Sequence, residues 1–169
     1  MIRIVESGVT FGEYFEENVY QIEKSKYVNN LSGVKSCEFV LYKAKDNILF
    51  FIEAKSSIPN PNNSKDKYNL FFDEVVEKLE NSMVISTLGI NGKLPGVHEE
   101  LTELMKNINW SLVSFKLVLV IPKVPTEILP QMSEKLRSMF VRQRKTWAIS
   151  SLNILVLNEE LARTNNLII

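Results

Sequence analysis

Runs of consecutive apolar residues indicate the strands that this chain buries. CEFVLYK (37–43) and ILFFIEAK (48–55) predict a β-hairpin with a tight turn at Asp46-Asn47. The second run is apolar on both faces until Glu53, which is typical of a central strand covered on both sides. LVSFKLVLVIP (112–122) and LNILVL (152–157) predict two further strands, the first of which is stopped by a proline.

Apolar residues at steps of three and four predict the helices. One stripe runs from Tyr68 to Met83 behind a candidate N-cap at Ser64, and two glycines near position 90 mark its end. A shorter helix is expected over 97–107. The last helical stripe consists of Met132, Leu136, Met139 and Phe140. The segment SSIPNPNNSKD (56–66) predicts a loop, because its prolines and asparagines disfavour both helix and strand.

The first twenty-five residues fit two patterns at once. Phe11, Phe15, Val19 and Ile22 lie at helical spacing, whereas VYQIEKS (19–25) alternates like a strand. A short helix to about Asn18, followed by a strand, accommodates both patterns. The order α, β-hairpin, α, β, α, β then predicts a single α/β domain over residues 1–169, with a mixed central sheet flanked by helices.

Composition narrows the class of protein. A chain of 169 residues with 45% hydrophobic and 24% charged residues fits one ordinary globular domain. Cys37 is the only cysteine, which excludes an intramolecular disulfide and favours a reduced, cytoplasmic setting. No apolar run is long enough to span a membrane, so no membrane partner is expected. The formal net charge of zero argues against a protein that coats nucleic acid through bulk charge.

Charged residues at the end of the second predicted strand are the main chemical signal. Glu53 and Lys55 are two apart on a strand and therefore project from the same face. Burying such charges costs several kcal/mol unless they are paired or bound to an ion. A turn at Asp46-Asn47 pairs position 53 with roughly position 40, and a small register shift brings Glu38 beside Glu53.

Two neighbouring glutamates repel each other unless a cation lies between them. A hard divalent cation such as Mg²⁺ or Mn²⁺ suits carboxylate oxygens. A lysine beside that cation can orient or deprotonate a water, or stabilise charge that develops on a phosphate. Glu38, Glu53 and Lys55 therefore suit metal-assisted hydrolysis of a phosphodiester, whereas a structural ion pair on a sheet edge is the simpler alternative.

The segment CEFVLYKAKDNILFFIEAK (37–55) resembles the core motif of the PD-(D/E)xK nuclease superfamily. Glu38 takes the place of the usual aspartate, and Glu53 and Lys55 match the (D/E)xK part. The resemblance implies a restriction-endonuclease-like αβββαβ core, Mg²⁺ or Mn²⁺ held by Glu38, Glu53 and the Ala54 carbonyl, and a nucleic-acid substrate, DNA rather than RNA. It also implies a role in defence, restriction or repair, as a homodimer or within a larger complex.

Many members of this superfamily carry a further acid near the amino terminus. Glu13, Glu16, Glu17 and Glu23 compete for that role here, and Glu17 and Glu23 are the two leading candidates. Glu38 departs from the usual aspartate by one methylene, which moves its carboxylate outward.

One basic cluster lies in EKLRSMFVRQRK (134–145). Its members, which are candidates for contact with phosphates, are Lys135, Arg137, Arg142, Arg144 and Lys145. The alternative is the solvated face of an amphipathic helix. Two hypotheses follow for the whole chain: a metal-dependent nuclease, or a non-enzymatic binding or interaction module on the same scaffold.

Overall fold

An antiparallel hairpin of β1 (Ile2–Glu6) and β2 (Val9–Tyr14) opens the computed structural model, which describes residues 1–169. The predicted helix to about Asn18 is therefore wrong. Phe11 is fully buried whereas Phe15 is 64% exposed, so the spacing of these aromatic residues does not reflect a helical face. Gly12 has φ +133, and a Cβ there would lie 2.9 Å from the Ile2 carbonyl oxygen, so the hairpin requires a glycine.

A five-stranded sheet follows in chain order. β3 (Val19–Tyr20), β4 (Phe39–Lys43) and β5 (Ile48–Ala54) are antiparallel, whereas β6 (Ser114–Val120) and β7 (Ile154–Leu157) continue parallel to β5. The predicted α/β class and mixed central sheet are confirmed. The strand expected over 19–25 is shortened to two residues, because a 3₁₀ helix over 22–24 replaces its second half.

Seven helices accompany the strands. They are α1 (Lys26–Asn29), α2 (Lys65–Ile90), α3 (Pro95–Glu100), α4 (Glu103–Lys106), α5 (Leu129–Met139), α6 (Val141–Thr146) and α7 (Glu159–Thr164). The Ser64 hydroxyl accepts from the Lys67 N–H at 3.3 Å, as expected of an N-cap. The helix expected over 97–107 is divided at Leu101, because Thr102 caps a new helix at the Met105 N–H.

Both faces of β5 are covered, as its continuous apolar sequence predicts. Leu49 and Phe51 belong to a core shared with α2 and α5, whereas Phe50 and Ile52 pack with the β1–β2 hairpin and α7. Glu53 comes next in this alternation and faces the α2 side. None of the helices combines the length and the apolar character needed to cross a lipid bilayer.

Candidate functional site

The end of β5 brings Glu53 and Lys55 together. Glu53 is fully buried, and its Oε1 lies 3.4 Å from the Lys55 Nζ, so the two side chains share one face as their spacing predicts. Lys55 is anchored by its backbone N–H, which donates to the Val120 carbonyl at 2.9 Å. Its amine also lies 3.0 Å from the Glu74 Oε1 on α2, and this hydrogen bond lowers the pKa of Glu74. Lys55 thus bridges a buried and an exposed carboxylate.

Lys78 on α2 is the strongest partner of Glu53, and sequence reasoning missed it. Its Nζ donates to the Glu53 Oε1 at 2.9 Å. Burial is the largest effect on the pKa of Lys78 and would lower it, but the charge and hydrogen bond of Glu53, together with the charges of Glu38 and Glu23, raise it. A signal was present: Lys78 lies three residues after Val75 and four before Ser82, which are both buried in the helix stripe.

Glu38 lies just before β4, and the observed register places it opposite Glu53, two positions from the partner predicted near position 40. Phe39 pairs with Ile52, and the Glu38 N–H donates to the Ile52 carbonyl at 3.0 Å, so the register differs from the predicted one by the small shift that brings Glu38 near Glu53. The adjacent Cys37 N–H donates to the Ser82 hydroxyl at 2.8 Å, which itself donates to the Lys78 carbonyl at 2.7 Å. The turn of α2 from Lys78 to Ser82 therefore contacts both β5 and the segment that leads into β4.

The surroundings of Glu38 are acidic. Carboxylate oxygens of Glu6, Glu23 and Glu38 all lie within 4.8 Å of one another. Burial, the hydrogen bond with Glu23 and the charge of Glu53 raise the pKa of Glu38 to about 9, although Lys78 acts in the opposite direction. Burial also raises the pKa of Glu53, against the effect of its two lysines. Without a further cation, Glu38 holds a proton at neutral pH.

Two buried oxygens in this region have no partner. Glu38 Oε2 and Glu53 Oε2 are inaccessible to solvent and make no hydrogen bond. A carboxylate oxygen left unsatisfied in the interior costs free energy that a proton or a cation can offset. Hard carboxylate oxygens are the ligands that Mg²⁺ and Mn²⁺ prefer, so the donor set fits a divalent cation.

The structure distinguishes among the amino-terminal glutamates that are candidates for the further acid. Glu23 lies beside Glu38, whereas the Glu17 side chain is exposed and only its carbonyl is used, by the Thr102 hydroxyl. Glu13 pairs with Arg3 on the first hairpin, and Glu16 is exposed. Glu6, at the end of β1, is a member of the acidic group that sequence reasoning missed. The second strand of the hairpin that places it there lies where the sequence predicted the start of a helix.

The remaining motif residues take structural positions. Ala54 pairs with Val120 in the sheet, and its side chain is buried in the core on the hairpin side. His98 Nδ1 lies 2.8 Å from the Gly89 carbonyl oxygen, which ties α3 to α2. Burial raises the pKa of Cys37 to about 12, so its thiol stays protonated at neutral pH.

The basic cluster on α5 and α6 is divided among different surroundings. Lys135 donates to the Asn69 side chain at 2.8 Å and lies 5.2 Å from the centre of the Tyr68 ring, on the α2 side. Arg137 binds carbonyls at the start of β7, whereas Glu53 and Lys55 lie at the carboxyl end of β5. Arg142 and Lys145 are exposed, and Arg144 is half-buried. Arg137 therefore lies near the sheet edge opposite to that of Glu53 and Lys55, since β5, β6 and β7 are parallel.

Comparison of the chain with protein-family models, with curated proteins and with solved structures finds no match.

Proposed function

We propose that this chain is a Mg²⁺-dependent nuclease of the PD-(D/E)xK type that hydrolyses phosphodiester bonds in DNA. The observation that carries the proposal is the pair of unpartnered buried oxygens, Glu38 Oε2 and Glu53 Oε2, in a region where the amines of Lys55 and Lys78 contact the other oxygen of Glu53. Buried carboxylates whose pKa values are raised are frequent at sites that bind cations or move protons.

The metal ligands in this proposal are Glu38, Glu53 and the Ala54 carbonyl, with Glu23 next to Glu38. Bound there, Mg²⁺ or Mn²⁺ supplies stabilisation of the negative charge that develops on the reacting phosphate. Lys78 lowers the pKa of Glu53, against the larger effect of burial, through the 2.9 Å contact with its Oε1, and Oε2 has no partner and is free to act as a ligand. Lys78 is therefore a positioning residue rather than a ligand.

Lys55 has the direct role in hydrolysis. Its amine lies 3.0 Å from Glu74 Oε1 and 3.4 Å from Glu53 Oε1, so it is held beside the proposed metal ligands. In this proposal it orients the attacking water and stabilises charge that develops on the phosphate.

The order of elements supports the resemblance to the superfamily from β3 onward. An antiparallel run of β3, β4 and β5 leads through α2 to β6, which pairs parallel with β5. This matches the βββαβ part of the αβββαβ core. Where that core has its first helix, this chain has the β1–β2 hairpin, and the acid next to Glu38 on that hairpin is Glu6.

A divalent-metal titration of the folded chain tests the proposal. Mg²⁺ or Mn²⁺ should raise the melting temperature of the wild type and of Glu17→Gln, but not of Glu53→Gln, because an ion bound at Glu53 stabilises only the folded state. Glu23→Gln should reduce the shift, whereas Glu17→Gln is a matched loss of charge away from the site. Cleavage of a labelled duplex should follow the same order, and equal metal shifts in all four chains would refute the proposed metal site.

A non-enzymatic binding module is favoured by one observation. Two lysines already neutralise Glu53 at its Oε1, so the buried charge is compensated by protein groups alone. In that case divalent cations leave the melting temperature of the wild type unchanged, and no DNA or RNA substrate is cut.

A further inference from the structure

A surface cavity of about 330 Å³ lies where α5 meets α6 and the start of β7. Its lining residues are Glu134, Arg137, Ser138, Val141, Arg144 and Ser151. This volume is at the lower end of the range for small-molecule sites. None of these residues belongs to the carboxylate group of Glu38 and Glu53, so the cavity is a separate feature of the molecule.

Arg137 is held in one orientation within this cavity. Its Nε donates to the Ser151 carbonyl at 2.9 Å and to the Ile154 carbonyl at 3.1 Å. Its Nη1 lies 3.5 Å from Glu134, whose side chain is 74% exposed, so that pairing is weak. Its Nη2 makes no hydrogen bond within the chain. A fixed guanidinium with free donors is prearranged for an anion.

Arg144 has no partner at all. Its half-buried guanidinium makes neither a hydrogen bond nor an ion pair in the chain, and its Nε is inaccessible to solvent. A buried donor without an acceptor carries a desolvation penalty. The terminal nitrogens of Arg144 are not buried and also have no partner in the chain, so an acceptor in the cavity would bind the guanidinium there, which points to a ligand rather than to a solvated helix face.

The rest of the lining suits the same chemistry. The Ser138 hydroxyl donates to the Lys135 carbonyl at 2.6 Å, and the Ser151 side chain makes no hydrogen bond within the chain, so its hydroxyl is free to donate. Glu134 is the only acid in the cavity and disfavours an anion, but its exposed charge is screened by solvent. Two guanidinium groups and a hydroxyl donor match the oxygens of a phosphate.

We propose that this cavity binds a phosphate group, with Arg137 and Arg144 as its two cationic ligands. The group would be a free phosphate or phosphomonoester, or a phosphodiester of nucleic acid. This proposal does not depend on the nuclease proposal. It also separates the basic cluster into two ligands and three bystanders, since Lys135, Arg142 and Lys145 do not line the cavity.

Isothermal titration calorimetry with inorganic phosphate, in metal-free buffer that contains EDTA, tests the site. Arg144→Gln should weaken phosphate binding about tenfold or more, the scale for a lost charge-assisted hydrogen bond. Arg142→Gln removes the same charge two residues away from an exposed position and should change the affinity by less than about twofold. Arg144→Lys keeps the charge but loses the planar fork, so an intermediate affinity is expected.

Competition with short oligonucleotides distinguishes the two sources of phosphate. Displacement of phosphate by an oligonucleotide without terminal phosphates supports a phosphodiester ligand, and displacement only by its 5′-phosphorylated form supports a phosphomonoester. Should Arg144→Gln fail to fold, Ser151→Ala replaces it, with an expected loss of about threefold or more. Equal losses in Arg142→Gln and Arg144→Gln, or no saturable binding of phosphate by the wild type, would overturn the proposal.

Discussion

Two glutamates, Glu53 at the end of β5 and Glu38 just before β4, are buried to a similar extent but lie in different electrostatic surroundings. Glu53 is 0% exposed and lies within 3.4 Å of two lysine amines, whereas Glu38 is 9% exposed and lies within 4.8 Å of the carboxylate oxygens of Glu6 and Glu23. Burial raises the pKa of both carboxylates, but the two lysines oppose this effect at Glu53, whereas neighbouring carboxylates add to it at Glu38. The comparison shows that the charges supplied by neighbouring elements modify the effect of burial on ionisation.

Removing Lys78 should have the largest effect on this contrast. Lys78→Met strands the Glu53 carboxylate with only the longer contact from Lys55, so the free energy of unfolding should fall by about 3–5 kcal/mol. Urea unfolding measures this change. Lys67→Met, an exposed change on the same helix, should stay within about 0.5 kcal/mol of the wild type.

A double variant checks the cause of that loss. Glu53→Gln removes the charge that Lys78 neutralises, so Lys78→Met should cost far less in the Glu53→Gln background than in the wild type. If the two costs were the same, the ion pair would not be what Lys78 contributes.

Lys55→Met should separate hydrolysis from stability. Glu53 keeps its 2.9 Å contact with Lys78, and the Glu74 partner of Lys55 is exposed, so stability should fall by only about 1 kcal/mol. Cleavage of a labelled duplex should fall by about 10²-fold or more, the scale for losing a positioned catalytic group. Melting with and without Mg²⁺ should show that the variant still folds and binds metal. Cleavage at the wild-type rate would remove Lys55 from the proposed reaction.

The sign of the pH dependence set by Glu38 is a further test of this contrast. Its pKa is about 9 in the folded chain against an ordinary value of 4.5, so the unfolded state loses this proton first as pH rises. Stability in EDTA should therefore fall between these two values, by at most about 1.4 kcal/mol per pH unit. Glu38→Gln should flatten the slope, because the amide does not titrate.

Mg²⁺ binding should depend on pH in the opposite direction to stability in EDTA. It needs both carboxylates ionised, so the affinity of the wild type for Mg²⁺ should increase with pH up to about 9. Binding at neutral pH should also release a proton. A pH-independent stability in EDTA, identical for wild type and Glu38→Gln, would contradict the raised pKa of Glu38.

The sequence predicts the elements whose pattern is long and of one kind. β5, β6 and α2 follow from uninterrupted apolar runs and from a stripe of seven apolar positions, and the pairing of Glu53 with Lys55 follows from the two-residue period of a strand. The β1–β2 hairpin was missed because Phe11 and Phe15 happen to lie four residues apart, although only Phe11 is buried. Gly12, which the hairpin requires, is a single residue and therefore a weak sequence signal for the hairpin.

The partners in the candidate site were harder to predict than its central residues. Lys78 lies 25 positions from Glu53 and meets it only because α2 packs across β5. Glu6 reaches Glu38 only through the missed hairpin, and the choice between Glu17 and Glu23 depends on where β3 ends. Such contacts are tertiary, so local periodicity carries no information about them.

The hydrogen bond from the Cys37 N–H to Ser82 makes this amide proton a probe of the region around Glu38 and Glu53. The Ser82 hydroxyl accepts from the Cys37 N–H and donates within α2, so this amide is shielded by a helix that also carries Lys78. Hydrogen exchange at Cys37 requires α2 to separate from the sheet, the same motion that would disconnect Lys78 from Glu53. The exchange rate of this single amide therefore measures how often the charged site comes apart in the native protein.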